Sequence, residues 1–401
     1  AIPLCLGIGA VSGVPAFSGL IAGFVGGIVV GVISGSQLGV SGPAAGLAVI
    51  VFAALEEFKT RLGDQVAQVA IAAEAFQLLL LSIVLAGVIQ TILGFLNGGI
   101  IGYYFPSSVI KGMLAGIGLT IFLKEIPHAL GYDKHMEGDI TFYHLDGENT
   151  FTDIINAVGN TDFGAFIIST VGLIILAIWQ RPFMTKQRIW QILQGPLVAI
   201  LAGIALVFTF TGTSLEMVQE HLVSVPVSSN ISEFLSSFTI PNFGGITNPL
   251  VWQTAFVIAI VASLETLLCV EATDKLDPER RITPTNLELK AQGVGNIVSG
   301  LIGGLPITQV IVRSSANIQS GGKTKMSAIL HGFFIFGFVA FLPQLLNLIP
   351  RASLAAILII VGYKLATPSL FKEMWYNGKN QFIPFMLTVL FIVFKDLLWG
   401  V

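Results

Sequence analysis

Long apolar runs, separated by short charged or Gly/Pro-rich stretches, dominate this chain. Most of the runs reach the about 17 to 25 residues that a membrane-spanning helix needs. They predict thirteen segments, at residues 1–10, 14–34, 42–54, 69–96, 105–123, 164–179, 190–210, 251–270, 289–302, 312–320, 326–349, 353–365 and 382–401. The runs at 42–54 and 312–320 are too short to cross a bilayer alone.

Composition agrees with a protein embedded in a lipid bilayer. Of 401 residues, 54% are apolar and 11% charged, whereas soluble globular chains carry roughly 25% charged residues. A net charge of −3 without a basic face excludes a nucleic-acid-binding protein. Cys5 and Cys269 lie in different apolar runs and show neither a disulfide nor a metal-ligand spacing. Since the runs contain no Ser/His/Asp, Cys/His or metal-ligand grouping, we expect no enzyme, no cofactor and no metal.

Basic residues predict the orientation in the membrane. Loops after even-numbered segments hold twelve Lys and Arg residues, and loops after odd-numbered segments hold five. Because cytoplasmic loops carry the excess of basic residues, we expect a cytoplasmic N-terminus, in a bacterial inner (plasma) membrane. The two longest loops, 131–162 and 213–250, then face outward. Both chain ends lie inside apolar runs, so we expect the first and last spans to be truncated.

One predicted helix carries glycine at every fourth position: Gly19, Gly23, Gly27, Gly31 and Gly35. Residues four apart share a helix face, and a ridge of glycines lets a neighbouring backbone approach closely. We therefore expect this face to pack against other helices. A pore lining is the alternative interpretation.

The two short runs each combine an extended stretch with a helix start. The first is extended from Ser36 to Gly42-Pro43, where a half-helix is expected because proline is tolerated in a first helical turn. In the second, residues 306–312 favour a short strand, and a helix is expected to start at residues 313–316. Non-helical backbone at membrane depth survives where protein buries it or where it lines a watery cavity.

These two breaks lie in segments three and ten. Corresponding breaks in two halves of a chain are typical of the binding site of a transporter. An offset of seven segments implies halves of opposite orientation. The sequence thus predicts an all-α, multi-pass membrane protein built as an inverted repeat of seven plus seven spans, with two short strands leading into half-helices.

The residues at the breaks indicate an anion site. Each half-helix start offers unpaired N–H groups and about half a positive charge, and Arg313 adds a full charge on a planar fork. Arg313 could instead reach a membrane surface or pair with a buried acid. Ser314 and Ser315 either donate to the ligand or cap the helix. Glu265 lies inside segment eight, and three roles are open for it. It pairs with Arg313, it takes up a proton, or it extends to a membrane surface.

The run NLELKAQGVGNIVSGLIGGLPITQVIVRSSANIQSGGKTKMSAI, with SGPAAG and IPLCLGIGAVSGVP upstream, resembles the SulP anion transporters, and the likeness covers essentially the whole chain. It implies the fold of uracil permease, with fourteen spans. Its core comprises segments 1–4 and 8–11, about residues 1–97 and 251–349. Its gate comprises segments 5–7 and 12–14, about residues 98–250 and 350–401. It also implies a homodimer and a cytoplasmic STAS domain beyond residue 401.

Carried over by position, the resemblance implies an anion site between half-helices three and ten. Its residues are Leu4, Ile8, Ala44, Ala45, Val312 and Arg313, and the residues at the helix start add Ser314 as a candidate. Many members have Gln at Leu4, Ser at Val312 and a polar residue near Ala45, so this site depends more on Arg313 and on backbone N–H groups. Glu265 matches the acidic coupling position, with Cys269 one turn later. Because Cys269 is a poor ligand for a hard cation, we expect a proton rather than sodium as the coupling ion.

The sequence therefore predicts a secondary transporter in the lipid bilayer. It would move a small inorganic oxyanion, sulfate or bicarbonate, by symport with protons, through alternating access of core against gate. An anion channel or a charge-sensing membrane motor is the second hypothesis, and electrical recording separates the two. A nucleobase permease is the third, and Arg313 argues against it because a nucleobase is a neutral ring.

Overall fold

The computed structural model describes residues 1–62, 68–104, 106–134, 142, 149–181, 195–224 and 236–395. The chain packs into two units. The first consists mainly of Ala1–Pro106 and Pro226–Phe341, and the second of Ser107–His135, Ile140–Val225 and Leu342–Val401. Each unit thus combines a stretch from both halves of the chain. The core and gate boundaries stay predictions.

The first unit begins with apolar helices interrupted by a strand. Its elements are α1 (Ile2–Val11), α2 (Ala16–Ile33), β1 (Ser41–Pro43), α3 (Ala48–Leu62) and α4 (Gln68–Phe95). A wider, π-helical turn at Gly26–Val30 lies within α2. A 3-10 turn at Ala45–Leu47 connects β1 towards α3, and another at Gly98–Tyr104 follows α4.

The second unit begins with α5 (Ser107–Ala129), α6 (Thr150–Gly159), α7 (Phe163–Trp179) and α8 (Gly195–Phe210). α6 and α7 meet at a bend of 113°. Each has its own N-cap: the Asn149 side chain accepts hydrogen bonds from the first turn of α6, and the Asp162 carboxylate accepts one from the Ala165 N–H of α7. These caps explain why the chain forms two helices here rather than one.

The chain then returns to the first unit and afterwards completes the second. The first unit gains α9 (Pro249–Leu276), α10 (Thr285–Leu301), β2 (Ile307–Gln309), α11 (Ile311–Gln319) and α12 (Met326–Phe341). The second unit gains α13 (Pro343–Leu346), α14 (Arg351–Leu365), α15 (Pro368–Tyr376) and α16 (Lys379–Phe394).

Helices long and apolar enough to cross a membrane confirm an integral membrane protein. In the described part of the chain, four stretches meet this requirement: Ala16–Ile33, Ile71–Phe95, Pro249–Leu276 and Arg351–Tyr376. The bent pair α6 and α7 makes a fifth if it is counted as one span, and α8, α12 and α16 are shorter apolar helices. Large apolar side chains such as Phe333 and Phe334 of α12 are exposed, which suits a surface covered by lipid.

One half-helix differs in extent from the apolar run that predicted it. The run ends at residue 54, whereas α3 begins at Ala48 and continues to Leu62. Its last two turns carry the ion pairs Glu56–Lys59 and Glu57–Arg61, at 2.8 and 2.7 Å. Pairs with this spacing stabilise an exposed helix by about 0.2–0.5 kcal/mol each, so the charged turns remain helical.

The glycine repeat packs helices together, as the sequence predicted. A Cβ atom at Gly19 would overlap the carbonyl oxygen of Cys5 in α1. A Cβ atom at Gly27 would lie 2.5 Å from the Cα atom of Gly332 in α12, and one at Gly31 would lie 3.0 Å from the side chain of Ile329. The ridge therefore brings α1 and α12 into direct backbone contact with α2.

Replacing Gly27 by Ala should lower the melting temperature of the detergent-solubilised protein by several degrees. The added methyl group meets the α12 backbone, and overpacking of this kind costs about 1–3 kcal/mol. Gly337→Ala, on α12, is the matched control, because nothing lies within 4 Å of its Cβ position. We expect the control to melt at the original temperature or above it, since Ala favours a helix. Equal melting temperatures for both variants would contradict the close contact of α2 with α12.

A buried carboxylate connects separate parts of the second unit. The Asp133 side chain is 4% exposed, and its two oxygens lie 2.6 Å from Nδ1 of His128 and 2.6 Å from Nδ1 of His221. Burial raises the pKa of Asp133, but the hydrogen bonds from the two histidines outweigh burial and lower that pKa to about 2. The hydrogen bond to Asp133 also raises the pKa of His221 above 6.5, against the effect of burial. Protonated His221 therefore stabilises the folded unit.

This cluster predicts a pH dependence of stability. The contribution of His221 is fully present below its unfolded-state pKa and is lost as pH rises through the higher folded-state value. We expect the melting temperature of the solubilised protein to fall as pH is raised from about 6 to 9. A His221→Asn variant should show a flatter profile, because its side chain does not titrate. The same slope in both proteins would contradict the assignment.

Candidate functional site

The two chain breaks meet in one small sheet. β1 and β2 pair antiparallel, and three residue pairs define the register: Ser41 with Gln309, Gly42 with Thr308, and Pro43 with Ile307. All six residues are buried. The prediction of extended backbone in both segments is confirmed. Strands of this length satisfy each other's backbone groups inside the first unit, which isolated extended segments could not do.

Side chains of α10 support this sheet. Asn296 Oδ1 accepts from the Ile307 N–H at 2.6 Å, and its Nδ2 donates to the Ile307 carbonyl at 3.1 Å. Gln292 Nε2 donates to the Ser41 hydroxyl at 2.7 Å. Both residues belong to the NLELKAQGVGN run, so that run serves to hold the paired strands in place.

A helix follows each strand, directly after β2 and through a short turn after β1. α11 starts at Ile311, so the expected start at residues 313–316 was two residues late. The reason is that Val310 acts as N-cap and donates its N–H to the Val40 carbonyl at 3.0 Å. After β1, the 3-10 turn at Ala45–Leu47 leads into α3. The first N–H groups of a helix lack acceptors within it, so both starts present the positive end of a backbone dipole to the sheet region.

Arg313 lies against β1 in the first turn of α11. A Cβ atom at Gly42 would overlap its Nη1, so glycine makes room for the guanidinium. The residue is 6% exposed, which excludes the alternative in which it extends to a membrane surface. Its Nη2 donates to Cys5 Sγ at 3.1 Å, while Nε and Nη1 have no partner among the described residues. Free donors on a buried cation favour an anionic ligand.

Glu265 of α9 lies beside the turn that precedes α3. A Cβ atom at Gly46 would lie 3.2 Å from its Oε2. The residue is 5% exposed, so it does not extend to a membrane surface, and Oε2 has no hydrogen-bond partner in the described part of the chain. In the same part of the chain no ion pair joins Glu265 to Arg313. Of the three alternatives, uptake of a proton is the one that this geometry leaves, and it stays a prediction.

The hydroxyl groups of Ser314 and Ser315 are used within the protein. Ser314 Oγ donates to the Val310 carbonyl at 2.9 Å and accepts from the Val40 N–H at 3.0 Å. Ser315 Oγ accepts from Gln319 Nε2 at 2.9 Å. Neither residue caps the helix, because α11 starts earlier. The Ser314 hydroxyl proton is already donated, so Ser314 fixes α11 to the segment before β1 rather than offering a free donor to an anion.

Three of the predicted site residues lie at the helix starts, and the sequence prediction concerns their main-chain groups. Ala44 is buried, and its N–H donates to the Pro306 carbonyl at 3.2 Å, so this amide is not free for a ligand. Ala45 opens the 3-10 turn before α3. Val312 lies half-buried in the first turn of α11, where its N–H has no acceptor within the helix.

The segment-one residue that contacts Arg313 was missed. Leu4 and Ile8, the predicted residues, lie on α1 on either side of Cys5, and it is Cys5 that accepts the hydrogen bond from Arg313. A single cysteine in an apolar run carries no motif, so no signal in the sequence could have selected it. The sequence placed Gly42 at a transition from extended chain to helix. Its second role, which is to leave space for Nη1 of Arg313, depends on the register of the sheet.

Cys269 lies one turn after Glu265 and is buried. Its carbonyl accepts hydrogen bonds from Thr273 Oγ1 at 2.6 Å and from Gln309 Nε2 at 3.4 Å, so this part of α9 is attached to β2. A coupling role for Cys269 stays a prediction. Within the described residues, no group of three or more His, Cys, Asp or Glu side chains could hold a metal ion.

Paired strands, two helix starts and a buried guanidinium with unpaired donors form an arrangement typical of a membrane transporter for small anions. The comparison with known families agrees with this class. The chain belongs to the sulfate permease family, whose model matches residues 1–388.

Relatives in this family are named for two anions. The chain is 25% identical to the bicarbonate transporter BicA of Picosynechococcus sp., covering 100% of this chain and 66% of that protein. It is also 25% identical to the chloroplastic sulfate transporter 4.1 of Arabidopsis thaliana, covering 100% of this chain and 54% of the relative. The chain thus spans about half to two thirds of the length of these relatives.

Solved structures share the fold. The transmembrane domain of a cyanobacterial bicarbonate transporter, BicA, matches with a TM-score of 0.69 at 22% identity, covering 100% of this chain and 93% of that one. The structure of SLC26A9 matches with a TM-score of 0.62 at 18% identity, covering 100% and 61%. These matches support the helical membrane fold.

Proposed function

We propose that this protein is a secondary active transporter of a small inorganic oxyanion, sulfate or bicarbonate. The observation that carries the proposal is Arg313, buried at the start of α11 with Nε and Nη1 unpaired among the described residues. Relatives named as transporters of bicarbonate and of sulfate support the substrate class.

An oxyanion suits the donors at this site better than a single-atom anion. A guanidinium places its N–H groups side by side in two pairs, Nε with Nη2 and Nη1 with Nη2. Nη2 has two N–H groups and gives one to Cys5, so one pair remains complete and two oxygens of one ligand can each accept a hydrogen bond from it. Arg313 itself belongs to the first turn of α11, whose first N–H groups lack acceptors within the helix. Sulfate and bicarbonate both present several oxygens on one atom, and both can use these donors together.

The proposed transport cycle is alternating access, with the first unit as the moving core and the second as the gate. Antiparallel pairing of β1 with β2 supports an inverted repeat, because corresponding segments of inverted halves run in opposite directions. The proposal includes fourteen spans, a cytoplasmic N-terminus and a homodimer.

Coupling to protons is proposed through Glu265. Its carboxyl is buried in α9, has a free oxygen and lies against Gly46 at the start of the α3 segment. A carboxyl in this place changes the local charge beside one helix start when it gains or loses a proton. The charge at Glu265 can thereby influence how strongly the neighbouring site holds an anion.

Arg313→Ala should reduce uptake of labelled sulfate or bicarbonate into proteoliposomes by at least about tenfold. Each hydrogen bond to a charged group is worth about 1.5–3 kcal/mol, and Arg313 offers two free donors. Arg61→Ala is the matched control, because Arg61 is an exposed arginine of the same unit paired with Glu57. Uptake by Arg313→Ala at the original rate would refute the site, and unitary currents in a planar bilayer would assign a channel instead.

Glu265→Gln should abolish the accumulation of anion that a pH gradient drives, while anion exchange across the membrane continues. The amide resembles the protonated carboxyl in shape but cannot release a proton. Uptake is measured with an imposed pH gradient, with a sodium gradient and with neither. Glu57→Gln, an exposed glutamate, is the control and should behave as the original protein. A Glu265→Gln protein that still concentrates anion under the pH gradient would contradict proton coupling.

A further inference from the structure

The thiol of Cys5 is enclosed between the glycine ridge of α2 and the guanidinium of Arg313. Cys5 has no exposed surface. A Cβ atom at Gly23 would lie 2.7 Å from Sγ, and on the other side Sγ lies 3.1 Å from Arg313 Nη2. The close approach of α1 at Gly19 brings the thiol to this position. The sulfur is thus held at a fixed place relative to α2.

Among the described residues, Arg313 has no other side-chain hydrogen bond that could hold its orientation. Nη1 lies against the backbone of Gly42, and Nε and Nη1 have no hydrogen-bond partner in the described residues. The hydrogen bond to Cys5 is therefore the one directional side-chain contact of this guanidinium in the described part of the chain. Without it, the planar group could rotate about its long side chain, and its free donors would no longer have a fixed direction.

We propose that Cys5 is a positioning residue of the anion site: its sulfur accepts one N–H of Arg313 and fixes the guanidinium so that Nε and Nη1 stay available to the ligand. This inference rests on the proposed function. It assigns to segment one a polar role at the site, next to the positions Leu4 and Ile8 that the family resemblance implies.

A thiol suits this role because it is a weak and neutral acceptor. Sulfur orients the guanidinium but leaves its positive charge in place. A carboxylate at the same position would form a buried ion pair with Arg313 and cancel the charge that the anion needs. An apolar side chain would fill the space but leave Arg313 unfixed.

A series of Cys5 variants separates positioning from packing. Cys5→Ser retains an acceptor and should keep KM within about twofold of the original value. Cys5→Val is close to cysteine in size but lacks an acceptor, and it should raise KM for the anion about fivefold or more, the effect of losing one hydrogen bond. Cys5→Asp should abolish saturable uptake. If Cys5 only fills space, Cys5→Val will match the original protein in KM, and that result would overturn the inference.

Ser82→Ala is the matched control for a small change at a buried position. Ser82 lies in α4 of the same unit, and its hydroxyl donates to the carbonyl of Leu78 in its own helix. We expect KM to be unchanged in this variant. A rise in KM equal to that of Cys5→Val would show that any buried change has this effect, and would also overturn the inference.

A spectroscopic measurement tests the contact without relying on transport. The S–H stretching band of a thiol lies in a nearly empty region of the infrared spectrum and shifts with hydrogen bonding. The band missing from Cys5→Ser belongs to Cys5, and we expect it to shift in Arg313→Gln. A band that does not move overturns the inference even if the protein transports anions. A band that moves in a protein without anion transport supports the contact and refutes the proposed function instead.

Discussion

Backbone groups at membrane depth must find hydrogen-bond partners within the protein, and the pairing of β1 with β2 is how this chain meets that requirement. Each strand is three residues long, and α10 completes the arrangement through Asn296 and Gln292. The rest of the first unit depends on this pair, since the helix starts of α3 and α11 are placed by the ends of the two strands. The proposed ligand site is thus a consequence of a backbone constraint.

The same constraint locates the charges. Arg313 follows β2 by four residues, so the register of the sheet brings its guanidinium against Gly42 of β1. Removing such a cation from water costs several kcal/mol, and a buried cation is retained where a ligand or a partner compensates for that cost. Here the neutral sulfur of Cys5 orients the group without compensating its charge. Glu265, next to Gly46, is the acidic group beside the other helix start.

Apolar run lengths, the spacing of the two breaks and the glycine repeat were sufficient to predict a helical membrane protein, two short strands and the close packing of α2. They could not predict that α11 starts at Ile311 or that the Ser314 hydroxyl is used inside the protein, because both depend on hydrogen bonds to Val40, which is 270 or more residues away along the chain. The extension of α3 to Leu62 depends on ion pairs that an apolar pattern ignores. The contact of Cys5 with Arg313 joins residues 308 positions apart and needed the structure.

The position of a bound anion is the most direct test of the central claim that Arg313 and the start of α11 hold the transported ligand. Selenate is a tetrahedral oxyanion like sulfate, and selenium gives an anomalous diffraction signal. Crystals of a protein shown to transport selenate should give an anomalous selenium peak beside Arg313. The oxygens of that selenate ion should lie within hydrogen-bonding distance of Nε or Nη1 of Arg313. A peak elsewhere in a selenate-transporting protein, with no density beside Arg313, would contradict the account.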